Sequence, residues 1–280
     1  MCKSKTCIQR FSGAPNVPAL AGESAKFWLP GQVLTVSLMD ATTEQERYAY
    51  ESAQAWMEAC NIVFDFITRG DGQVRISFDD RGGAWSYVGR DLLNISTARP
   101  TMNLGWTSGG VGEHEFGHTL GMIHEHQNPN GGIQWNREAV IKDLSGAPNY
   151  WDIDTIEFNI FRKYSKDRIN GTQVDPLSIM MYSIPTEWTL DDFETPWNTT
   201  LSDTDIEFAA DIYPEKEPEP AINLLEILQD VFRDEKEAKK LCRLYERSLV
   251  RLGHALGLPT NEDLRKKENY RIILDALFDA

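Results

Sequence analysis

Four of the five histidines in this 280-residue chain fall within thirteen positions, in the stretch GEHEFGHTLGMIHEH: His114, His118, His124 and His126. His114 and His118 stand four apart. In a helix, about 100° of rotation per residue places them one turn apart on one face, where both imidazoles can reach a single ion. Glu115 lies between them, displaced around the helix. There it can take a proton from a water on the metal rather than bind the metal itself. Gly121 can adopt a positive φ and end the helix sharply, so that His124 returns from another direction as a third ligand. Three neutral nitrogens leave a fourth position open for water, as a catalytic zinc requires. The spacing therefore predicts one Zn2+ per chain on His114, His118 and His124, with Glu115 as general base. H-E-x-x-H-x-x-G-x-x-H fixes five positions in eleven, which chance rarely supplies. His126 has no assigned role and reads as a surface or outer hydrogen-bonding residue. His254, alone at the end of a distant helical stripe, reads as structural.

The elements around this motif mix strands and helices. VLTVSLM (33–39) alternates like a strand, and IVFDFI (62–67), VRISF (74–78) and TMNLGW (101–106) are further strand candidates. TEQERYAYESAQAWMEAC (43–60) repeats apolar residues at helical spacing, with Thr42 or Thr43 as N-cap. Residues 128–200 are rich in Pro, Gly, Asn and Trp and read as irregular structure with short helices. SDTDIEFAADIY (202–213) reads as a closing helix capped by Ser202. The fold class is α+β: a twisted mixed sheet with an active-site helix and an irregular C-terminal subdomain, followed by a small all-helical bundle.

A second motif completes the first. DPLSIMMYSIP (175–185) carries Ser178, Met180 and Tyr182. The long histidine motif followed by this Met-turn resembles the metzincin zinc peptidases. Glu125 directly after the third histidine, and the Ser-x-Met-x-Tyr turn, resemble the astacin branch. LSDTDIEFAADIYP and AWMEACNIVFDFI are similar to that branch's closing helix and to its first helix leading into a strand. The resemblance covers about residues 25–214. It implies a zinc-dependent endopeptidase in which His114, His118 and His124 bind the metal. Glu115 would be general base and then general acid to the leaving amine. Met180 would floor the site, and Glu125 would be a supporting carboxylate. Tyr182 would bind zinc at rest and swing to stabilise the oxyanion. The strand at 101–106 would be the edge that pairs with an extended protein or peptide substrate. Two departures stand out: Met181 replaces the histidine usual before the tyrosine, and the disulfides of secreted relatives are missing. The alternative is a binding or adaptor module that keeps the fold without activity. Intact Glu115 and three intact histidines favour the enzyme.

The chain organises as a leader (1–25), the astacin-like domain (26–214), a linker (215–221) and a helical domain (222–280). YPEKEPEPA marks the linker, with three prolines in nine residues. Leucine-rich stripes at helical spacing follow it. LLEILQDVFRDEKEAKKLCRLY resembles the death-fold-like effector-associated domains of bacterial conflict systems, through Phe232, Asp234, Glu235, Ala238 and Leu241. That resemblance implies a bacterial effector protease recruited by a helical partner; a generic helical cap on the protease is the other reading. The net charge of −15 sits almost wholly in residues 1–214, at −13, and argues against nucleic acid as a partner. No stretch is long and apolar enough to span a bilayer, and the N-terminus has no apolar run typical of a signal peptide. Cys2, Cys7, Cys60 and Cys242 show no C-x-x-C spacing and no disulfide framework, and only Cys60 reads as a core residue. A cytoplasmic protein with free thiols follows, in which the sequons at Asn94, Asn170 and Asn198 are chance. Such a peptidase needs restraint. Cys2 and Cys7 precede the catalytic fold and are either exposed leader cysteines or thiolate donors that displace the catalytic water. Recruitment through the tail is the rival form of control.

Overall fold

The computed structural model describes residues 6–10, 26–164 and 174–215. The helical domain at 222–280, with Cys242 and His254, lies outside the described residues. So do Cys2, Asn170, most of the leader and all but Glu215 of the linker.

A six-stranded sheet forms one side of the domain, ordered β1-β5-β6-β4-β2-β3. These strands are β1 (Ile8–Arg10), β2 (Val33–Leu38), β3 (Val63–Phe66), β4 (Val74–Ser77), β5 (Ala84–Tyr87) and β6 (Met102–Leu104). All neighbours run parallel except β5 and β6. Five strands belong to the body; β1 is supplied by the N-terminal segment. Helix α1 (Thr43–Ala59) starts in a capping box between Thr42 and Gln45. It buries Ala49, Ser52, Ala53 and Trp56, the helical spacing read from the sequence.

One expectation fails here. The strand within 101–106 is not an edge: β6 lies between β5 and β4, and Met102, Asn103 and Leu104 are all buried. The edges of the body sheet are β5 and β3, and β1 pairs with β5, Ile8 opposite Trp85 and Arg10 opposite Tyr87. A three-residue strand is too short to show a period, and AWSY carries no alternation that marks a strand.

Beyond Gln127 regular structure thins out, as the composition predicts. Helices α2 (Val111–Thr119), α3 (Arg137–Leu144), α4 (Ile153–Ile156) and α5 (Asp203–Ile212) complete the described helical set, apart from short 3₁₀ or π segments. Loops here are tied by side chains. Thr195 Oγ1 donates to the Tyr182 carbonyl at 2.5 Å and accepts from Ile184 N at 2.9 Å. Asn198, one of the sequon residues, donates to the carbonyls of Pro176 at 2.9 Å and Ser178 at 2.8 Å. Ser202 and Asp205 form the capping box of α5.

Candidate metal centre

Helix α2 carries the first two histidines through the middle of the domain. Trp56 on α1 donates its indole N–H to the Glu113 carbonyl at 2.7 Å, and Gly112 N donates to the Tyr48 hydroxyl at 2.9 Å. Two glycines permit this closeness. A Cβ on Gly112 would lie 2.2 Å from Ser52 Oγ, and one on Gly117 would lie 2.4 Å from Met180 Sδ. At the other end, the carbonyl of Thr119 accepts from the Trp28 indole at 2.8 Å, and that of Leu120 accepts from the Tyr213 hydroxyl. Both are carbonyls the helix itself leaves unpaired. Gly121 follows at φ 101° and breaks the helix, as its position predicts.

The chain then turns back to His124. His114, His118 and His124 converge, and Cys7 joins them: one donor atom from each, all within 4.8 Å of one another and all buried. His118 Nε2 and His124 Nε2 are 3.1 Å apart, and Cys7 Sγ lies 2.9 Å from His114 Nε2 and 3.4 Å from His124 Nε2. Ligands of a tetrahedral zinc at about 2.0–2.3 Å stand roughly 3.3–3.6 Å from each other, so the spacing suits that ion. The tautomers suit it too. His114 Nδ1 donates to the Ile179 carbonyl at 2.7 Å and His118 Nδ1 to the Met122 carbonyl at 2.9 Å, which leaves both Nε2 lone pairs facing the cluster. Burial lowers the pKa of His114 to about 4 and holds His118 and His124 well below their ordinary value, so all three are neutral.

Glu115 is fully buried beside this cluster, and neither carboxylate oxygen has a well-formed hydrogen bond. Burial raises its pKa well above the ordinary carboxylate range; the Arg10 charge and the nearby Cys7 thiol partly oppose this. A buried carboxyl without well-formed hydrogen bonds is costly unless it serves a ligand or a reaction. Tyr182 donates its hydroxyl to the Cys7 carbonyl, and Cys7 Sγ is 3.6 Å from that hydroxyl. Burial, and next the Glu115 charge, push the Cys7 thiol well up; a cation in the cluster reverses that preference. Met180 packs beneath α2 against Gly117.

Cys7 corrects two readings from the sequence. It is not exposed on a free leader, and Cys60 is not the single buried cysteine of the domain: both are buried free thiols. The segment around Cys7 is anchored by the β1 ladder and by Thr6 N donating to Asn149 Oδ1 at 3.0 Å. The Arg10 guanidinium also sits 3.6 Å above the Trp85 ring. Nothing in the sequence separates Cys7 from Cys2; pairing with β5 does. The hydrogen bonds of Glu125 go to groups other than the ligand side chains. It accepts from Asn128 Nδ2 at 3.1 Å and Asp175 N at 3.2 Å, while its own N–H donates to the Met180 carbonyl at 2.9 Å. His126 is buried rather than on the surface; it donates from Nε2 to the Asn159 carbonyl at 2.7 Å and stacks on His124 at 5.2 Å. A cleft opens beside the cluster, walled by Trp106, Val111, Ile179, Met181 and Trp197.

The model of the peptidase family described as Astacin matches residues 21–204. A solved structure of myroilysin is 37% identical, with a TM-score of 0.66, over 68% of this chain and 97% of that one. A second myroilysin structure is 33% identical at a TM-score of 0.54, covering 74% of this chain and all of that one. The hatching enzyme zinc-protease HCE-1 of the medaka fish Oryzias latipes shares the fold at 18% identity and a TM-score of 0.50, over 68% of this chain and 95% of its own. Zinc metalloproteinase nas-23 of Caenorhabditis elegans is 27% identical over 171 residues, 59% of this chain; the chain spans 28% of that curated relative's length.

Proposed function

The chain belongs to the astacin family of zinc metalloendopeptidases, whose members use a single Zn2+, and from that premise we propose how its own residues divide the work. The observation that carries the reading is the convergence of three neutral histidine nitrogens beside a buried, unbonded Glu115 carboxylate. His114, His118 and His124 hold the metal. Zinc, when bound, supplies a Lewis acid that acidifies water and polarises the scissile carbonyl. Glu115 accepts a proton from the attacking water and passes it to the leaving amine. Tyr182 directs its hydroxyl to the carbonyl oxygen as charge builds there. The tryptophans and Met181 of the cleft favour an apolar side chain next to the bond that is cut. Substitution of Glu115 by Gln tests the assignment: zinc stays bound, while kcat falls about 10²–10⁴-fold. Unchanged turnover would move the base elsewhere.

The described arrangement reads as a latent form. Cys7 takes the fourth position of the donor set, and Tyr182 is engaged by its backbone. Removing residues 1–10, or replacing Cys7 by Ser, is expected to raise activity without any partner. Equal activity in all forms would remove the thiol from control and favour the tail. The wider role we infer from sequence: a cytoplasmic bacterial effector protease that meets a death-fold-like helical partner through residues 222–280. Its support is the tail's helical pattern and the free thiols Cys7 and Cys60. If the tail recruits, residues 220–280 fold when expressed alone; a cap does not. What weighs against the silent adaptor reading is that the sequence keeps Glu115 and all three histidines.

A further inference from the structure

We infer that Asp205 is a positioning residue for the metal centre, acting on His114 through a buried chain of hydrogen bonds. The inference rests on the zinc reading above. His114 Nδ1 donates to the Ile179 carbonyl at 2.7 Å. The N–H of that same peptide unit, on Met180, donates to Ser178 Oγ at 3.0 Å. Ser178 Oγ in turn donates to Asp205 Oδ1 at 2.6 Å. Each donor points the same way, from imidazole through peptide and hydroxyl to carboxylate, so each bond polarises the next.

The other carboxylate oxygen holds the same turn from the far side. Asp205 Oδ2 accepts from Ile179 N at 2.7 Å and from Ser202 N at 2.9 Å. Both peptide units flanking Ile179 are therefore tied to one side chain, and the carbonyl that meets His114 cannot rotate away without breaking them. His114, Ser178, Ile179, Met180 and Asp205 are all buried, with at most 7% exposure, so water does not substitute for a lost link. His118 differs: its Nδ1 bonds to the Met122 carbonyl four residues along. Of the three ligand histidines, His114 is the one with a relay of this kind to an acid on α5. Hydrogen bonds behind a ligand histidine fix its ring and raise its basicity, and losing such a partner costs about 10–100-fold in metal affinity.

The test uses the full chain and measures the zinc Kd by competition with a chelator of known affinity. The Tm of the zinc-free protein and the NMR signal of the His114 Nδ1 proton are followed alongside. Ser178→Ala cuts the relay but leaves Asp205 on Ile179 and Ser202. It is expected to raise the zinc Kd about tenfold or more and to shift the His114 proton upfield. Asp205→Asn should do the same, the double variant should be little worse than either single one, and Asp205→Glu should recover part of the loss. A merely structural cap predicts a lower Tm for the zinc-free protein with the zinc Kd and the His114 proton unmoved; that result in Ser178→Ala overturns the inference, even if Asp205→Asn does not fold. Failure of the unaltered chain to bind zinc would instead refute the metal centre itself.

Discussion

His114 and His118 owe their placement to helix α2, whereas Met180 and Tyr182 owe theirs to a loop pinned by side chains far along the chain. In α2 the spacing of the two imidazoles follows from 3.6 residues per turn. In the 178–195 segment the Tyr182 carbonyl and Ile184 N–H both bond Thr195 Oγ1, and the turn at Ser178 is held by Asp205. The spacing of the first pair is local. The second relies on partners 11 to 27 residues away. Substitutions in α2 should therefore strike the donor set directly, and substitutions in the pinned loop should strike it through geometry.

Replacing His118 by Ala makes the sharpest break. Zinc content measured on purified protein should fall from about one per chain to near zero, and activity with it; stoichiometric zinc retained in that variant would refute the donor set. A smaller effect is expected on the pinned side. Thr195→Val leaves the buried Tyr182 carbonyl short of its partner, at a cost of about 1–3 kcal/mol, while Ile184 N–H keeps the Thr195 carbonyl. Thermal melts should show lower stability, and kcat should fall while zinc content holds; an unchanged melt would mean that the loop is held by other bonds. The smallest effect lies away from both. Thr42→Ala removes the α1 cap at about 1 kcal/mol, so Tm drops by a few degrees with kcat and zinc content unaltered. Any change in zinc content there would show that α1 and the donor set are coupled.

The same contrast explains what could be read in advance. The donor histidines, Glu115, α1 with its Thr42 cap and α5 with its Ser202 cap were legible because each signal is local: a spacing, a capping residue, a period. Asp205 showed no such signal. Its N3 position in the capping box is visible in the sequence, but its reach to Ser178 and Ile179 depends on how α5 docks. The sheet edge was misread for a related reason. Both β5 and β6 are three or four residues long, and which of them lies outermost is decided by long-range pairing. Cys7 was visible as one of two leader thiols, and only the pairing of β1 with β5 distinguishes it.

The two glycines of α2 carry a consequence for assembly. Gly112 and Gly117 let the helix lie against Ser52, Met180 and Trp56, yet glycine inside a helix costs roughly 0.5–1 kcal/mol per residue relative to alanine. A nine-residue helix with two of them is a poor helix in isolation. The turn that brings His114 over His118 therefore exists only once the neighbours have packed. An unfolded chain offers zinc scattered imidazoles, and a folded one offers a prepared cluster. Ion supply then becomes a thermodynamic ballast: a hundredfold excess of free zinc over its Kd biases the population toward the native state by about 2.7 kcal/mol. Cells that limit zinc would lower the steady-state amount of this protein as well as its turnover.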